Sequence, residues 1–279
     1  MMTSIDIDMD VYKALSDLRP SEAATINAVL RQMLKLGDAP SAAAASAVAA
    51  ATAPAAGAQL KANAKPRHAP GGGLKGKVAV IGATGSIGGK IVDEALSRGA
   101  EVIAVARDPA KVKAQKGVSA VAGNANDPES LTQALKGADA VLVSVKWADA
   151  DIAKLLQGIR AAGVKRGVFV VGQGTLLRED GRRQFAHMAE KNGTPVPPTV
   201  PAMKVLDALK AANDLEWTAV SCPADIRSGD RTAQFRVGGE LMIFDAQGTS
   251  RISEQDFAVA ILDELQDPHY VRSQLAVAY

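Results

Sequence analysis

The stretch KGKVAVIGATGSIGGKIVDEAL, residues 75–96, joins an apolar strand pattern to a helix pattern through a glycine-rich turn. Its glycines, Gly82, Gly85 and Gly88, follow directly on the strand. Gly82 permits a tight turn, Gly85 lets backbone approach a pyrophosphate, and Gly88 lets the helix pack close to the sheet. Free backbone N–H groups at the helix N-terminus would receive the phosphates, with Thr84, Ser86 and Ile87 lining the approach. Three glycines alone are a weak signal; in a strand–turn–helix context they predict a dinucleotide-binding domain.

The downstream pattern agrees. Strands are expected at 77–81, 101–106, 118–121, 138–144, 166–171 and 216–221, alternating with helices at 86–98, 128–136, 149–162, 201–212 and 253–265. The terminal AVAY reads as one further strand. This alternation predicts an α/β fold with a doubly wound, Rossmann-type parallel sheet over residues 77–279. The apolar share of 47% is ample for its core.

The second strand ends in VIAVARDPAKV, which places Arg107 19 residues past Gly88. Sites for NAD carry an acid there to hold the ribose 2′-hydroxyl. A guanidinium accepts no hydrogen bond but pairs well with a 2′-phosphate, so NADPH is favoured over NADH. The bland reading of Arg107 is a surface charge after a strand.

Why the loop starts so late is a separate question. In residues 1–38, Ile5, Ile7 and Met9 alternate with Ser4, Asp6, Asp8 and Asp10, the pattern of a half-buried strand. Val11, Leu15 and Leu18 then follow at helical spacing, and Ile26, Val29, Leu30, Met33 and Leu34 mark a second helix. So short a unit cannot bury its apolar faces alone. IDIDMDVYKAL and AVLRQMLKLG resemble the ribbon-helix-helix family, most like the N-terminal oligomerisation segment of the replication regulator SeqA. The resemblance implies a homodimer, or a higher oligomer, formed through strand pairing. Its DNA-reading members need basic or amide side chains on the ribbon. This segment has four Lys/Arg against six Asp/Glu, a net of −2, so DNA binding is not expected. A loosely docked arm is the alternative. Residues 39–76 are mostly Ala, Pro and Gly with a few basic side chains (Lys61, Lys65, Arg67, Lys75) and no Asp, Glu, Phe, Tyr or Trp, and read as a disordered linker spanning roughly 35 Å.

A net charge of +2 gives the whole chain little drive toward nucleic acid or anionic lipid. One cysteine, Cys222, excludes an intramolecular disulfide and reads as a packing thiol. No secretory signal is recognisable, and the alanine run 41–58 is too weakly apolar for a membrane span, so a cytoplasmic protein is expected. His68, His187 and His269 are widely spread with no partner at ligand spacing, so no metal is expected.

GATGSIGG, ARDPAKV and GNANDPESLTQALKGADAVLVSV resemble the NmrA-like atypical short-chain dehydrogenases/reductases. The run RTAQFRVGGELMIFDAQGTSRISEQDFAVAILDEL is more specifically similar to Rrf2-linked NADH-flavin reductases. The resemblance covers residues 77–279. It puts an adenine-side contact at Asn124, where the family has an acid, and sets VGQGTL, with Gly172 and Thr175, against the family's GGAGSL. It also places the lysine of the Tyr-x-x-x-Lys pair at Lys204, which leaves Val200 where the tyrosine belongs. Ser144, closing the fourth strand, joins the expected cofactor contacts.

Without that tyrosine an ordinary carbonyl reductase is not expected. FMN, FAD or a quinone takes hydride into a conjugated ring that spreads the charge, so positioning supplies most of the help. The resemblance therefore implies NADPH-dependent reduction of a small flavin or quinone-like acceptor. Lys204 would hold the nicotinamide ribose and Thr175 would donate a weak hydrogen bond to the acceptor. The competing reading is a non-catalytic NADP(H)-binding redox sensor acting through a partner. Trp147 is a candidate to stack on the acceptor, and the polar stretch 177–200 reads as a substrate flap.

Overall fold

Alternate side chains of one strand point to opposite faces of a sheet, so a strand apolar at every position needs cover on both sides. The strand Lys77–Ile81 meets that condition from its second residue on: Val78 and Val80 enter one core, Ala79 and Ile81 the other. The computed structural model describes residues 65–66, 73–193 and 200–279. The ribbon-helix-helix reading of residues 1–38 and most of the linker reading lie outside these.

In chain order the strands are β1 (Lys65–Pro66), β2 (Lys77–Ile81), β3 (Glu101–Ala106), β4 (Val118–Ala122), β5 (Ala140–Val143), β6 (Arg166–Val171), β7 (Glu216–Ser221), β8 (Asp225–Arg227), β9 (Arg236–Gly238), β10 (Arg251–Ser253) and β11 (Ser273–Ala278). The helices are α1 (Ser86–Ser97), α2 (Pro128–Ala134), α3 (Ile152–Ala161), α4 (Gln184–Lys191), α5 (Pro201–Ala211) and α6 (Glu254–Gln266). One sheet runs β1-β9-β11-β7-β6-β5-β2-β3-β4. From β11 to β4 every neighbouring pair is parallel; β9 and β1 extend the sheet antiparallel. The fold is a Rossmann-like α/β sandwich. Helices α1 and α6 cover one face, where Ile91, Val92 and Phe257 meet Val78, Val80 and Leu142. Helices α2, α3 and α5 cover the other, where Leu131, Leu155 and Leu206 meet Ile81, Val141 and Phe169.

Several helix starts are written locally. Asp127 accepts hydrogen bonds from Glu129 N and Ser130 N ahead of Pro128, and Asp151 does the same for Ala153 N and Lys154 N. Ser253 caps α6 through Asp256 N.

Three expectations need correcting. The stretch 39–76 is not linker to its end: β1 pairs with β9, and Leu74 is 8% exposed in the core, its N–H bonded to Arg98 O. The polar stretch 177–200, read as a substrate flap, is not loop throughout: it contains α4, and Leu177 bridges both Arg183 and Leu241. Strand β11 begins at Ser273, ahead of the terminal AVAY. The short β8 and β10 pair parallel in a separate sheet, and β10 meets α6 where Ser253 Oγ accepts from Asp256 N; the buried Asp256 carboxylate accepts from Ala233 N, Thr232 Oγ1 and Tyr279 Oη. No helix among the described residues is long and apolar enough to cross a membrane.

Helices α1 and α6 are held together by buried charge. Arg98 reaches Glu94 and Asp263, each at 2.8 Å, and Arg231 reaches Glu94 at 2.7 Å. Burial alone would push the Glu94 carboxyl up, but hydrogen bonds from Arg231 and Arg98 outweigh it and hold the group below the usual range. Because the folded-state value is lowered, this contribution is complete above the ordinary glutamate range and is lost as pH falls through the lower folded value. Without Glu94, Arg98 keeps Asp263 and the half-exposed Arg231 turns to water, so Glu94→Ala should cost about 1–3 kcal/mol in urea unfolding at neutral pH. Glu94→Gln should flatten the acid limb of the stability–pH curve.

Candidate functional site

In an open parallel sheet a ligand site forms beyond the carboxyl ends of the strands, where the strand order reverses. Here that point is β2, flanked by β3 on one side and β5 on the other. A cleft of about 280 Å³ opens there, lined by Gly82, Thr84, Gly85, Arg107, Asn124 and Ser144, among others.

The floor of the cleft is built on close backbone contacts. Gly82 has φ 89°, and a Cβ there would lie 2.1 Å from Ser144 O. A Cβ on Gly88 would lie 2.0 Å from Gly82 O. Gly85 N–H bonds Gly82 O at 3.0 Å and Gly89 N–H bonds Gly85 O at 2.8 Å, which leaves the N–H groups of Ser86, Ile87 and Gly88 without a backbone partner. No side chain caps this end, and the first turn of α1 holds no acid. A helix start left free in this way, at a turn where only glycine fits, suits a pyrophosphate. Ser86, Ile87 and Gly88 belong to this helix start rather than to the cleft wall.

The walls carry the charge. Arg107, at the end of β3, is exposed and its guanidinium has no hydrogen-bond or ion-pair partner among the described residues. Lys146, past the end of β5, lines the cleft and is likewise unpaired there; Asp149 is the one carboxylate of the lining. Asn124 closes its own turn, its Oδ1 accepting from Asn126 N at 3.0 Å. Asn126 then staples two loops, donating to Asp149 O at 2.8 Å and accepting from Asp151 N at 2.7 Å. The sequence reading missed both Lys146 and Asn126. Only their positions just past strand ends could have flagged them.

Gly172, Thr175 and Lys204 lie away from this cleft. Gly172 opens the 3-10 turn Gln173–Thr175 after β6. The Thr175 hydroxyl is not presented to an acceptor: the residue is fully buried, donates to Gly172 O at 2.9 Å and accepts from Gln274 Nε2 at 2.7 Å. Ser221 completes this knot at 3.1 Å from Thr175 Oγ1. The role expected of Thr175 therefore becomes one of holding the turn. Lys204 is exposed on α5 with its ammonium unpaired among the described residues. The Trp147 indole donates to Val170 O at 2.7 Å, which anchors the ring across the end of β6. Burial pushes the Cys222 thiol up, away from reactivity. No group of metal-ligating side chains occurs among the described residues.

Fold and cleft define a dinucleotide-binding protein, and the comparisons narrow this. The model of the NAD(P)H-binding family matches residues 82–268, and the chain belongs to that family. The uncharacterized protein YwnB of Bacillus subtilis is 29% identical over 211 residues, 72% of this chain and 97% of its own. A solved Burkholderia pseudomallei structure, provisionally named an exported protein, is 34% identical with a TM-score of 0.63, covering 74% of this chain and 100% of its own. A Streptococcus pneumoniae structure, provisionally named an NADH-flavin reductase, is 28% identical with a TM-score of 0.59, covering 73% and 99%.

The glycine contacts make a sharp test. Gly88→Ala must displace the Gly82 carbonyl, so it should lose about 1–3 kcal/mol in thermal unfolding and weaken dinucleotide binding by fluorescence titration. Gly89→Ala, whose new methyl would find its nearest neighbour at 3.8 Å, should leave binding unchanged and raise stability by up to about 1 kcal/mol.

Proposed function

We infer that this protein is an NADPH-dependent oxidoreductase that passes hydride to a flavin or quinone-like acceptor. The observation that carries the NADPH reading is the unpaired Arg107 guanidinium on the cleft wall, at the strand end where NAD sites place an acid. The N–H groups of Ser86, Ile87 and Gly88 would receive the pyrophosphate and Arg107 the 2′-phosphate. Ser144 and Asn124 border the adenosine side, and Lys204 would hold the nicotinamide ribose.

When bound, the dinucleotide supplies hydride. The chain's own work is to bind, to orient and to keep the 3-10 turn rigid through Thr175, Ser221 and Gln274. It presents no tyrosine ahead of Lys204, where Val200 stands, and the Thr175 hydroxyl is turned inward. An acceptor that spreads the incoming charge over its own ring suits such a site. The family, together with the Streptococcus relative named for flavin reduction, supports the same class.

The absent proton donor also suits a second reading, an NADP(H)-binding redox sensor that acts through a partner. A screen of NADPH and NADH against FMN, FAD and quinones separates the two. Saturable NADPH oxidation with one of these acceptors supports the reductase; tight binding without turnover supports the sensor. Arg107→Ala should raise the Kd for NADPH about tenfold or more, the loss of a charge-assisted contact, and leave that for NADH nearly unchanged. An equal effect on both cofactors would remove the case for NADPH.

The homodimer expected from residues 1–38 remains part of this proposal. Light scattering should find the full chain dimeric and a chain starting at Gln59, which keeps β1 and Leu74, monomeric.

A further inference from the structure

The free start of α1 has a neighbour that the cofactor reading does not use. The Ser86 hydroxyl donates to Glu254 Oε1, from the first residue of α6. Helix α6 has no need of that carboxylate for its own end. Ser253 caps it at 3.0 Å from Asp256 N, and Asp256 adds an acid to the same turn. Helix α1, by contrast, has neither a capping side chain nor a first-turn acid of its own. Glu254 thus lends its negative charge to a helix start that lacks one.

The scaffold fixes this arrangement. Helices α1 and α6 run side by side in the same direction, Ser86 against Glu254 at one end and Arg98 against Asp263 and Gln266 at the other. The buried charges around Arg98 resist sliding of the two helices, so the bond between Ser86 and Glu254 opens by rotation of these side chains rather than by helix movement. A pyrophosphate on the N–H groups of Ser86, Ile87 and Gly88 would bring a second anion to the same helix turn, and like charges there oppose each other.

Resting on the dinucleotide reading above, we propose that Glu254 sets the affinity of the pyrophosphate subsite. Its carboxylate serves the helix start as an internal anion and yields the Ser86 hydroxyl when a dinucleotide enters. The cost of that exchange falls on every ligand carrying the pyrophosphate, whatever its 2′ substituent.

The test is a charge ladder in the full chain, Glu254→Gln and Glu254→Lys, with Kd measured for NADP⁺, NAD⁺ and adenosine 2′-monophosphate. Each step should tighten both dinucleotides by about two- to fivefold at low ionic strength, with lysine tightest. The gain should shrink as salt is added, and adenosine 2′-monophosphate, which lacks the pyrophosphate, should bind as before. If Glu254 merely orders the loop through its hydrogen bond, both variants bind the dinucleotides more weakly, and the proposal is overturned. Unchanged dinucleotide affinity in both variants, with normal binding by the native chain, overturns it as well while sparing the dinucleotide reading. A native chain that binds neither dinucleotide overturns both.

Discussion

The fold turns on one close approach, that of Gly88 to the carbonyl of Gly82. A methyl group at Gly88 would lie 2.0 Å from that oxygen, so the first turn of α1 can rest on the end of β2 only because nothing stands between them. From that contact α1 lies flat enough on the sheet for Ile91, Val92 and Ala95 to reach Val78 and Val80. Helix α6 then packs along α1, and β11 follows α6 back into the sheet beside β7. The same contact leaves three N–H groups pointing past the strand end. Packing and binding therefore share a single geometric condition, and a change that relieves one disturbs the other.

Charge is sorted by place. Arg98 and Arg166 are nearly buried, and each is paired with carboxylates: Glu94 and Asp263 for the first, Glu264 for the second. Buried cations without such partners would be costly, which explains why the α1–α6 and β6–α6 contacts carry acids in register. Arg107, Lys146 and Lys204 have no such partners among the described residues, and all three are exposed. On an exposed surface an unpaired cation is common and cheap. What gives Arg107 and Lys146 meaning is the cleft between them, with a free helix start on its floor.

The sequence was legible where a local rule decided the outcome. The strands β2, β3, β6 and β7 form with the expected bounds because each is a largely apolar run, opened by a charged residue, whose remaining positions are buried on both faces. The turn after β2 was legible because glycine spacing reports backbone geometry directly. Legibility failed where tertiary partners decide. Helix α4 has only Phe185, Met188 and Ala189 to mark an apolar stripe within eight residues, too little to stand out from a polar loop. Strand β9 and the two residues of β1 exist through pairing with each other and with β11, which no local pattern announces. In the site, Thr175 sits on the expected turn, yet the inward direction of its hydroxyl depends on Gln274, 99 residues away.

That distance bears on how the turn after β6 holds its shape. Gln274 Nε2 donates to Thr175 Oγ1 at 2.7 Å and to Ser221 Oγ at 2.8 Å, joining the turn after β6 to the end of β7. Arg183, just ahead of α4, reaches the Thr175 carbonyl and pairs with Glu240 at 3.1 Å. The turn is therefore held by a buried amide and by a guanidinium, and neither hold needs a ligand. Fixed turns of this kind hold their groups in place before any ligand arrives. The fixed shape of Gln173–Thr175 and the inward Thr175 hydroxyl are then two consequences of one arrangement: the hydroxyl is spent on holding the frame.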